Sequence, residues 1–368
     1  MVREDTDQGD DLKKMLPKKI LILRFSAMGD VVLLVPVLRS LLAEYPELQI
    51  SVATRPKFTS FFHHLSSVKI IAADVDKEFK GFSGLWRLFR KLKTEKFDLV
   101  IDEHDHLRTK ILRTLFFLAG TPTLVFDKGR SDKKKFSRTE NKITKPLPHT
   151  VERYSDAFKK SGFNFPLLPG PHLISEPDIR NEVAQWLQAE NLVKNEPWIG
   201  VAPFAMHRSK IWPIENYAKL FRLLLEQKSY RFFLFGGGQK EIDFFNTLKN
   251  EFPNQVTIVA GVLKLHKEIA LMQKLDLMLC VDSSNMHFAT LAGTPILSIW
   301  GGTHPDVGFG PFQRNANSII QISPEELTCR PCSVYGKETC ARGDFACMTR
   351  ITPQLISNRV MSVLNLKS

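Results

Sequence analysis

Short apolar runs that end in small or acidic residues and pass directly into helical sequence recur along this chain, and that rhythm leaves few folds open. ILILRF (20–25) leads through SAMGD (26–30) into VVLLVPVLRSLLAEY (31–45), whose apolar spacing is helical, and ISVAT (50–54) returns to strand character. A strand, a helix and a second strand in this order give parallel pairing with the helix as crossover. KIIAADV (69–75), a helix over 85–93, FDLVIDEH (97–104), a helix over 107–119 and TLVF (123–126) extend the same sheet. The pattern loosens between 163 and 197, where five prolines surround one amphipathic segment at 179–190, and this reads as a connection between domains.

The rhythm then restarts with WIGVAPF (198–204), RFFLFGGG (231–238), QVTIVAG (255–261), LMLCVDS (277–283) and PILSIWGG (295–302), each separated by helical sequence. The fold class is therefore α/β, with two Rossmann-like units built on parallel sheets. At about 150 residues per domain, 368 residues accommodate two. The expected domains are 18–175 and 176–350, with a final helix in 351–368 packing back on the first.

The longest apolar stretch, Val31 to Leu38, is interrupted by Pro36 and falls far short of the roughly 20 residues that span a bilayer. The first 19 residues carry mixed charge and no apolar core, which predicts no secretory signal and a cytoplasmic chain. With 43% hydrophobic and 24% charged residues, general disorder is excluded. The net charge of +12 calls for an anionic partner. Much of it gathers between Lys128 and Lys145, including Lys133, Lys134 and Lys135, and this reads as one basic loop.

Four segments carry candidate chemistry. In SAMGD, Gly29 permits close backbone approach and Asp30 stands near a helix N-terminus, where it is either a general base or a helix cap. The spacing is not that of a dinucleotide fingerprint, which removes the main support for a nicotinamide cofactor. In APFAMHRSKIWP (202–213), Lys210 with His207 and Arg208 follows a strand and is placed to meet phosphate oxygens, the alternative being a solvated loop. Gly236, Gly237 and Gly238 before Glu241 form either a ribose or diphosphate approach or a plain turn. In CVDSSNMHFATLAG (280–293), Asp282, Ser283 and Ser284 arrive at a helix N-terminus with His287 one turn further in. That arrangement suits an anion, or an Asp/Ser cap with a core histidine.

Cys329, Cys332, Cys340 and Cys347 form C-x2-C-x7-C-x6-C. In a reducing compartment this spacing reads as a structural zinc site or as reduced thiols that close disulfides on oxidation. Neither would be catalytic.

Taken together, ILILRFSAMGDVVLLVPVLRSL, APFAMHRSKIWPIENYAKL and VDSSNMHFATLAGTPILSIWGGTHPDVGFGP, in this order, closely resemble the bacterial heptosyltransferases of lipopolysaccharide core synthesis over roughly residues 18–350. The resemblance implies a GT-B fold, two Rossmann-like domains facing a cleft, with acceptor bound by the first and nucleotide-sugar donor by the second. It implies inverting transfer of heptose from ADP-heptose to a lipid A-linked saccharide, with no metal or other cofactor required. By position, Asp30 matches the catalytic base and Lys210 the phosphate-holding lysine. Asp282 matches the sugar-binding aspartate, and Ser283, Ser284 and His287 the diphosphate turn. Glu241 resembles the ribose-binding acid and Leu265 the residue beside adenine. Two departures stand out: Ala205 and Met206 replace the family's hydroxyl residues before the lysine, and Ser283-Ser284 replaces its threonine-glycine.

On that reading Lys133, Lys134 and Lys135 belong to the acceptor side, facing a phosphorylated lipid at the inner membrane surface. A UDP- or GDP-sugar donor is the nearest alternative. A nucleic-acid-binding regulator with a degenerate sugar-nucleotide fold is the more distant one. No stacking aromatics or recognition helix accompany the basic residues, so nucleic acid is not the expected partner.

Overall fold

The computed structural model describes residues 16–365 apart from 139, 141, 143, 144, 314 and 315. Most of the N-terminal segment on which the absence of a signal was read lies outside the described residues. The chain forms two compact units.

The first unit, up to Lys128 together with Thr150–Leu168, holds a five-stranded sheet in the order β3-β2-β1-β4-β5. Its strands are β1 (Lys19–Leu23), β2 (Gln49–Thr54), β3 (Val68–Ala72), β4 (Leu99–Asp102) and β5 (Thr123–Val125), all paired in parallel. The central strands are apolar on both faces because helices cover both faces. Leu21 and Leu23 of the first strand and Phe25 just beyond it pack with Val100 and with Leu88, Leu112 and Phe116 of two crossover helices.

The helix expected over 31–45 is two helices, α1 (Met28–Val32) and α2 (Leu34–Glu44), joined at Leu33. Pro36 occupies the third position of α2. A helix's first N–H groups lack intrahelical partners, so the missing proline N–H costs nothing there. The other helices of this unit are α3 (Gly81–Lys93), α4 (Leu107–Leu118) and α6 (Thr150–Lys159).

The second unit comprises Gly129–His149 and Pro169 onward. Its six strands run in the order β11-β10-β9-β6-β7-β8, again all parallel. They are β6 (Trp198–Ala202), β7 (Arg231–Leu234), β8 (Val256–Ile258), β9 (Leu277–Val281), β10 (Ile296–Trp300) and β11 (Ile319–Gln321). The last of these, an edge strand of three residues, carried too little periodicity to be read from sequence. Its helices are α5 (Arg130–Phe136), α7 (Pro177–Ala189), α8 (Glu215–Leu225), α9 (Gln239–Glu251), α10 (Leu265–Met272), α11 (Ser284–Leu291), α12 (Ala346–Thr349) and α13 (Pro353–Asn365).

Two expectations about organisation need correction. The final helix, expected to pack back on the first domain, belongs to the second unit: Ile356, Val360 and Leu364, spaced at one helical face, enter its core. There they join Tyr217, Leu220 and Leu224 of α8, and Trp212 donates its indole N–H to the Ile351 carbonyl at 2.9 Å. Residues 129–149 and 169–175, expected in the first domain, also belong to the second unit. The basic segment is therefore not a loop of the first domain. Lys133–Lys135 lie in α5, anchored by buried Phe136 against the His304 ring, and Lys133 is itself buried with its ammonium 4.1 Å from the centre of the Phe309 ring.

Among the described residues no helix is long and apolar enough to cross a membrane.

Candidate active site

In open parallel sheets ligands gather at the carboxyl ends of the strands, where the strand order reverses. In the first unit that point lies between β1 and β4. Arg24 and Ser26 leave the first of these strands, and Glu103 and His104 leave the second.

Arg24 is buried, and its Nη2 lies 2.7 Å from Oδ2 of Asp30. Its Nη1 donates to the Glu103 carbonyl, and the guanidinium lies over the Phe126 and Tyr154 rings at 5.8 and 5.5 Å. The Tyr154 hydroxyl in turn donates to the Asp30 carbonyl at 3.3 Å. Asp30 also accepts the Ala27 N–H at 3.3 Å on the same Oδ2. It is thus a cap for α1, and Oδ1 remains without a protein partner among the described residues. Capping and base chemistry do not exclude each other, because they use different oxygens.

Around this pair lie buried ionisable groups. The Glu103 carboxyl is fully buried with neither oxygen hydrogen-bonded. Burial pushes its pKa well above the ordinary carboxyl range, against the pull of Arg24. His104 shares a hydrogen bond with Ser26 Oγ at 3.1 Å, and burial, with Arg24 second, lowers its pKa to about 2. Asp102, also buried, is satisfied by the His104 and Asp105 N–H groups at 3.0 and 2.8 Å and by Arg113 at 3.2 Å. Beside these buried groups the Arg24–Asp30 pair is the one whose carboxylate reaches solvent, whereas the Asp102 carboxylate paired with Arg113 is fully buried.

In the second unit the order reverses between β9 and β6. Asp282 follows the former and is buried, with Oδ2 3.0 Å from Lys210 Nζ and accepting the Thr303 hydroxyl at 2.7 Å. Lys210 closes a short 3-10 turn, Arg208–Lys210, and its side chain is largely buried, so it does not sit on a solvated loop. Ser283 takes the N-cap position of α11, yet its hydroxyl caps nothing. Its Oγ is buried with no partner, beside the free N–H groups of a helix start. The simple cap reading therefore does not account for Ser283. Ser284 opens that helix and His287 lies buried within it.

The glycine run is built around Glu241. The Gly237 N–H donates to Glu241 Oε2 at 2.8 Å, and a Cβ on Gly236 would stand 2.3 Å from that same oxygen. Gly238 has φ +96°, in the region that favours glycine. Burial raises the Glu241 pKa. Leu265 begins α10 and is half-buried.

The profile of glycosyltransferase family 9 (heptosyltransferase) matches residues 85–339, more than half of the chain. The chain belongs to this family. Among curated relatives, it is 23% identical to the lipopolysaccharide core heptosyltransferase OpsX of Haemophilus influenzae over 312 residues, covering 84% of this chain and 86% of that one. Among solved structures, it is similar to a family 9 glycosyltransferase from Veillonella parvula, with TM-score 0.73, 19% identity and coverage of 95% and 98% of the two chains. It is also similar to the E. coli heptosyltransferase WaaC with ADP, with TM-score 0.65, 17% identity and coverage of 94% and 99%. These likenesses give the fold, the two-sheet GT-B type. The protein is a glycosyltransferase of the heptosyltransferase family, whose curated relatives act in lipopolysaccharide core synthesis.

Within this family fold the structure brings Lys210 and Asp282 into contact and sets Ser283 and Ser284 at the helix start beside them. Asp30 stands in the first unit, and Lys133–Lys135 lie in the second. Sequence reasoning passed over Arg24, Glu103, His104 and Thr303. For Arg24, Glu103 and His104 the available signal was an ionisable residue just beyond the carboxyl end of an otherwise apolar strand.

The cysteine segment has a different role from the expected one. Among the described residues no group of three or more His, Cys, Asp or Glu side chains is arranged to hold a metal ion, and all five cysteines are free thiols. The zinc reading is not supported. Cys347 lies in the hydrophobic core and burial raises its pKa to about 11, while Cys332 faces the Gly302 carbonyl at 3.7 Å.

What the segment does instead is brace the Lys210 turn. The Cys332 N–H donates to the Gly302 carbonyl at 3.0 Å, and the Gly302 N–H donates to the Ser209 carbonyl at 2.9 Å. The Lys337 N–H donates to Ser209 Oγ at 2.8 Å. Gly336, at φ +108°, approaches so closely that a Cβ there would lie 2.8 Å from both His207 and Lys210. Arg330, fully buried between them, donates to the Gly301, Thr303 and Ile322 carbonyls.

Proposed function

We propose that this enzyme transfers a heptose from ADP-heptose to a hydroxyl of a lipid-linked lipopolysaccharide core saccharide, with inversion and without a metal, on the cytoplasmic side of the membrane. In this reading the second unit holds the donor. Lys210, the Ser283 hydroxyl and the N-terminus of α11 meet the diphosphate, while Asp282 meets the sugar hydroxyls. Glu241 binds the ribose and Leu265 lies beside the adenine. The observation that carries the donor assignment is the buried, unpartnered Ser283 Oγ beside the Lys210–Asp282 pair. A buried hydroxyl left without a protein partner has a ligand's oxygen as its natural one.

The first unit supplies the base. The acceptor oxygen attacks the anomeric carbon as the carbon–oxygen bond to the diphosphate breaks. Its proton passes to Asp30 Oδ1, and ADP leaves with the negative charge. One displacement on the face opposite the leaving group inverts the configuration.

Calorimetric titration with ADP, UDP and GDP tests the donor assignment, with ADP binding tightest and Lys210→Ala weakening it. Preference for UDP or GDP would move the donor, and no nucleotide binding would remove the reading. Following ADP-heptose and a core acceptor by NMR reports the anomeric configuration of the product, and undiminished turnover in chelator is the expected outcome for metal independence.

A further inference from the structure

Helices α3 and α4 of the first unit present an unusual surface. Large apolar side chains stand in solvent on both: Phe82 is 66% exposed and Trp86 44% on the first helix, and Phe117 is 67% and Leu118 75% exposed on the second. The two helices are joined through Phe89 and Phe116, whose rings meet edge-to-face at 5.0 Å, and Trp86 packs beside Phe89 at 5.5 Å. GFSGLWRLFRKLK carries Arg87, Arg90, Lys91 and Lys93 and no Asp or Glu, whereas the three cations of LRTKILRTLFFL are ion-paired, Arg108 with Asp76, Lys110 with Asp105 and Arg113 with Asp102. On α3 the exposed stripe reads Phe82, Trp86, Arg90, Lys93, one helical face on which apolar residues pass into cations, with Arg87 and Lys91 beside it.

Burial does not account for Phe82 and Trp86, since Leu85, Leu88 and Leu92 already fill the face turned to the core. Exposed aromatic side chains beside the cations of α3, a helix without acids, match the interface of an anionic bilayer. There the rings enter the headgroup layer and the cations meet lipid phosphates. We propose that the α3–α4 face is the surface by which this enzyme docks on an anionic lipid bilayer. The proposal takes its purpose from the lipid-linked acceptor reading above, but its test uses lipid alone.

The full chain is mixed with vesicles of phosphatidylcholine and with vesicles of phosphatidylcholine and phosphatidylglycerol, and the sedimenting fraction is measured against salt. Binding is expected to the anionic vesicles only, weakening as salt rises. Two variants divide the surface: Arg90→Glu with Lys91→Glu and Lys93→Glu, and Phe82→Ser with Trp86→Ser. Each is expected to lower vesicle affinity at least about tenfold, with ADP affinity and transfer to a detergent-free, water-soluble acceptor fragment unchanged. Failure of the intact chain to bind anionic vesicles, or vesicle binding that survives either set of substitutions, overturns the proposal. Because the vesicles carry no saccharide, loss of the transfer reading and loss of this one are separate results.

Discussion

Arg24 Nη2 and Asp30 Oδ2 are 2.7 Å apart, with the arginine buried and the carboxylate reaching solvent. The arginine is held by the Glu103 carbonyl and two aromatic rings, so the aspartate has one fixed oxygen and one available oxygen. A positioned base is worth about a hundredfold or more in turnover. Asp30→Asn should therefore lower kcat at least about a hundredfold while leaving ADP affinity unchanged. Arg24→Lys should lower kcat less than Arg24→Met, since it keeps a charge and loses the fork. In the Asp30→Asn background, Arg24→Met should cost almost nothing more, because residues that act as one unit are not additive. Additive losses in that cycle would assign Arg24 to folding alone.

Asp282 has two side-chain partners, Lys210 and Thr303, and removing one leaves a buried carboxylate half satisfied. The cost of an unsatisfied buried polar group is about 1–3 kcal/mol. Thr303→Val should accordingly weaken ADP-heptose binding by about tenfold or more and lower the unfolding midpoint. Thr303→Ser, which retains the donor, should restore both. Donor KM and urea melts of the pair check this.

Burial raises the pKa of the Glu103 carboxyl well above its ordinary range, against the pull of Arg24. A carboxyl with a raised folded-state pKa destabilises progressively as pH rises above its unfolded value, because the unfolded chain releases the proton first. Glu103→Gln, neutral at every pH and nearly the same shape, removes that cost. The variant should gain stability relative to the parent as pH increases from 4 toward 8, and denaturant titrations across that range would show whether the difference grows.

Much of this architecture was legible because parallel sheets write themselves as apolar runs: β1, β6 and β9 are buried along nearly their whole length, and β9 runs directly into Asp282, Ser283 and Ser284. That logic put Lys210, Asp282 and Ser283 among the candidate residues. The location of Lys133–Lys135 was not, because eight cations within eighteen residues obscure a single anchoring Phe136. The cysteine segment misled for a related reason. Spacing reports which residues are near in sequence, whereas Arg330, Gly336 and Ser209 are brought together by loop packing that has no period. Thr303 was hidden in the same way, since its partner Asp282 lies 21 residues earlier.

His304 gives the second unit an acid-sensitive point. The ring is buried, its Nδ1 accepts the Asp306 N–H at 3.2 Å, and burial, with the Arg330 guanidinium second, lowers its pKa from 6.5 to about 4. The folded chain therefore resists a proton that the unfolded chain takes up, and stability falls as pH drops from 6.5 toward 4 and levels off below. At about 1.4 kcal/mol per pH unit, the loss is on the order of 2 kcal/mol at pH 5. Protonation would also convert the Nδ1 acceptor into a donor facing an N–H, so the short helix at Pro305–Val307 should loosen with it. Substituting His304→Asn keeps a carbonyl acceptor without a titrating group. The parent should lose about 2 kcal/mol between pH 7.5 and pH 5 through this residue, and the variant should show a correspondingly shallower decline in chemical denaturation followed at both pH values. An identical decline in the two proteins would place the acid sensitivity elsewhere.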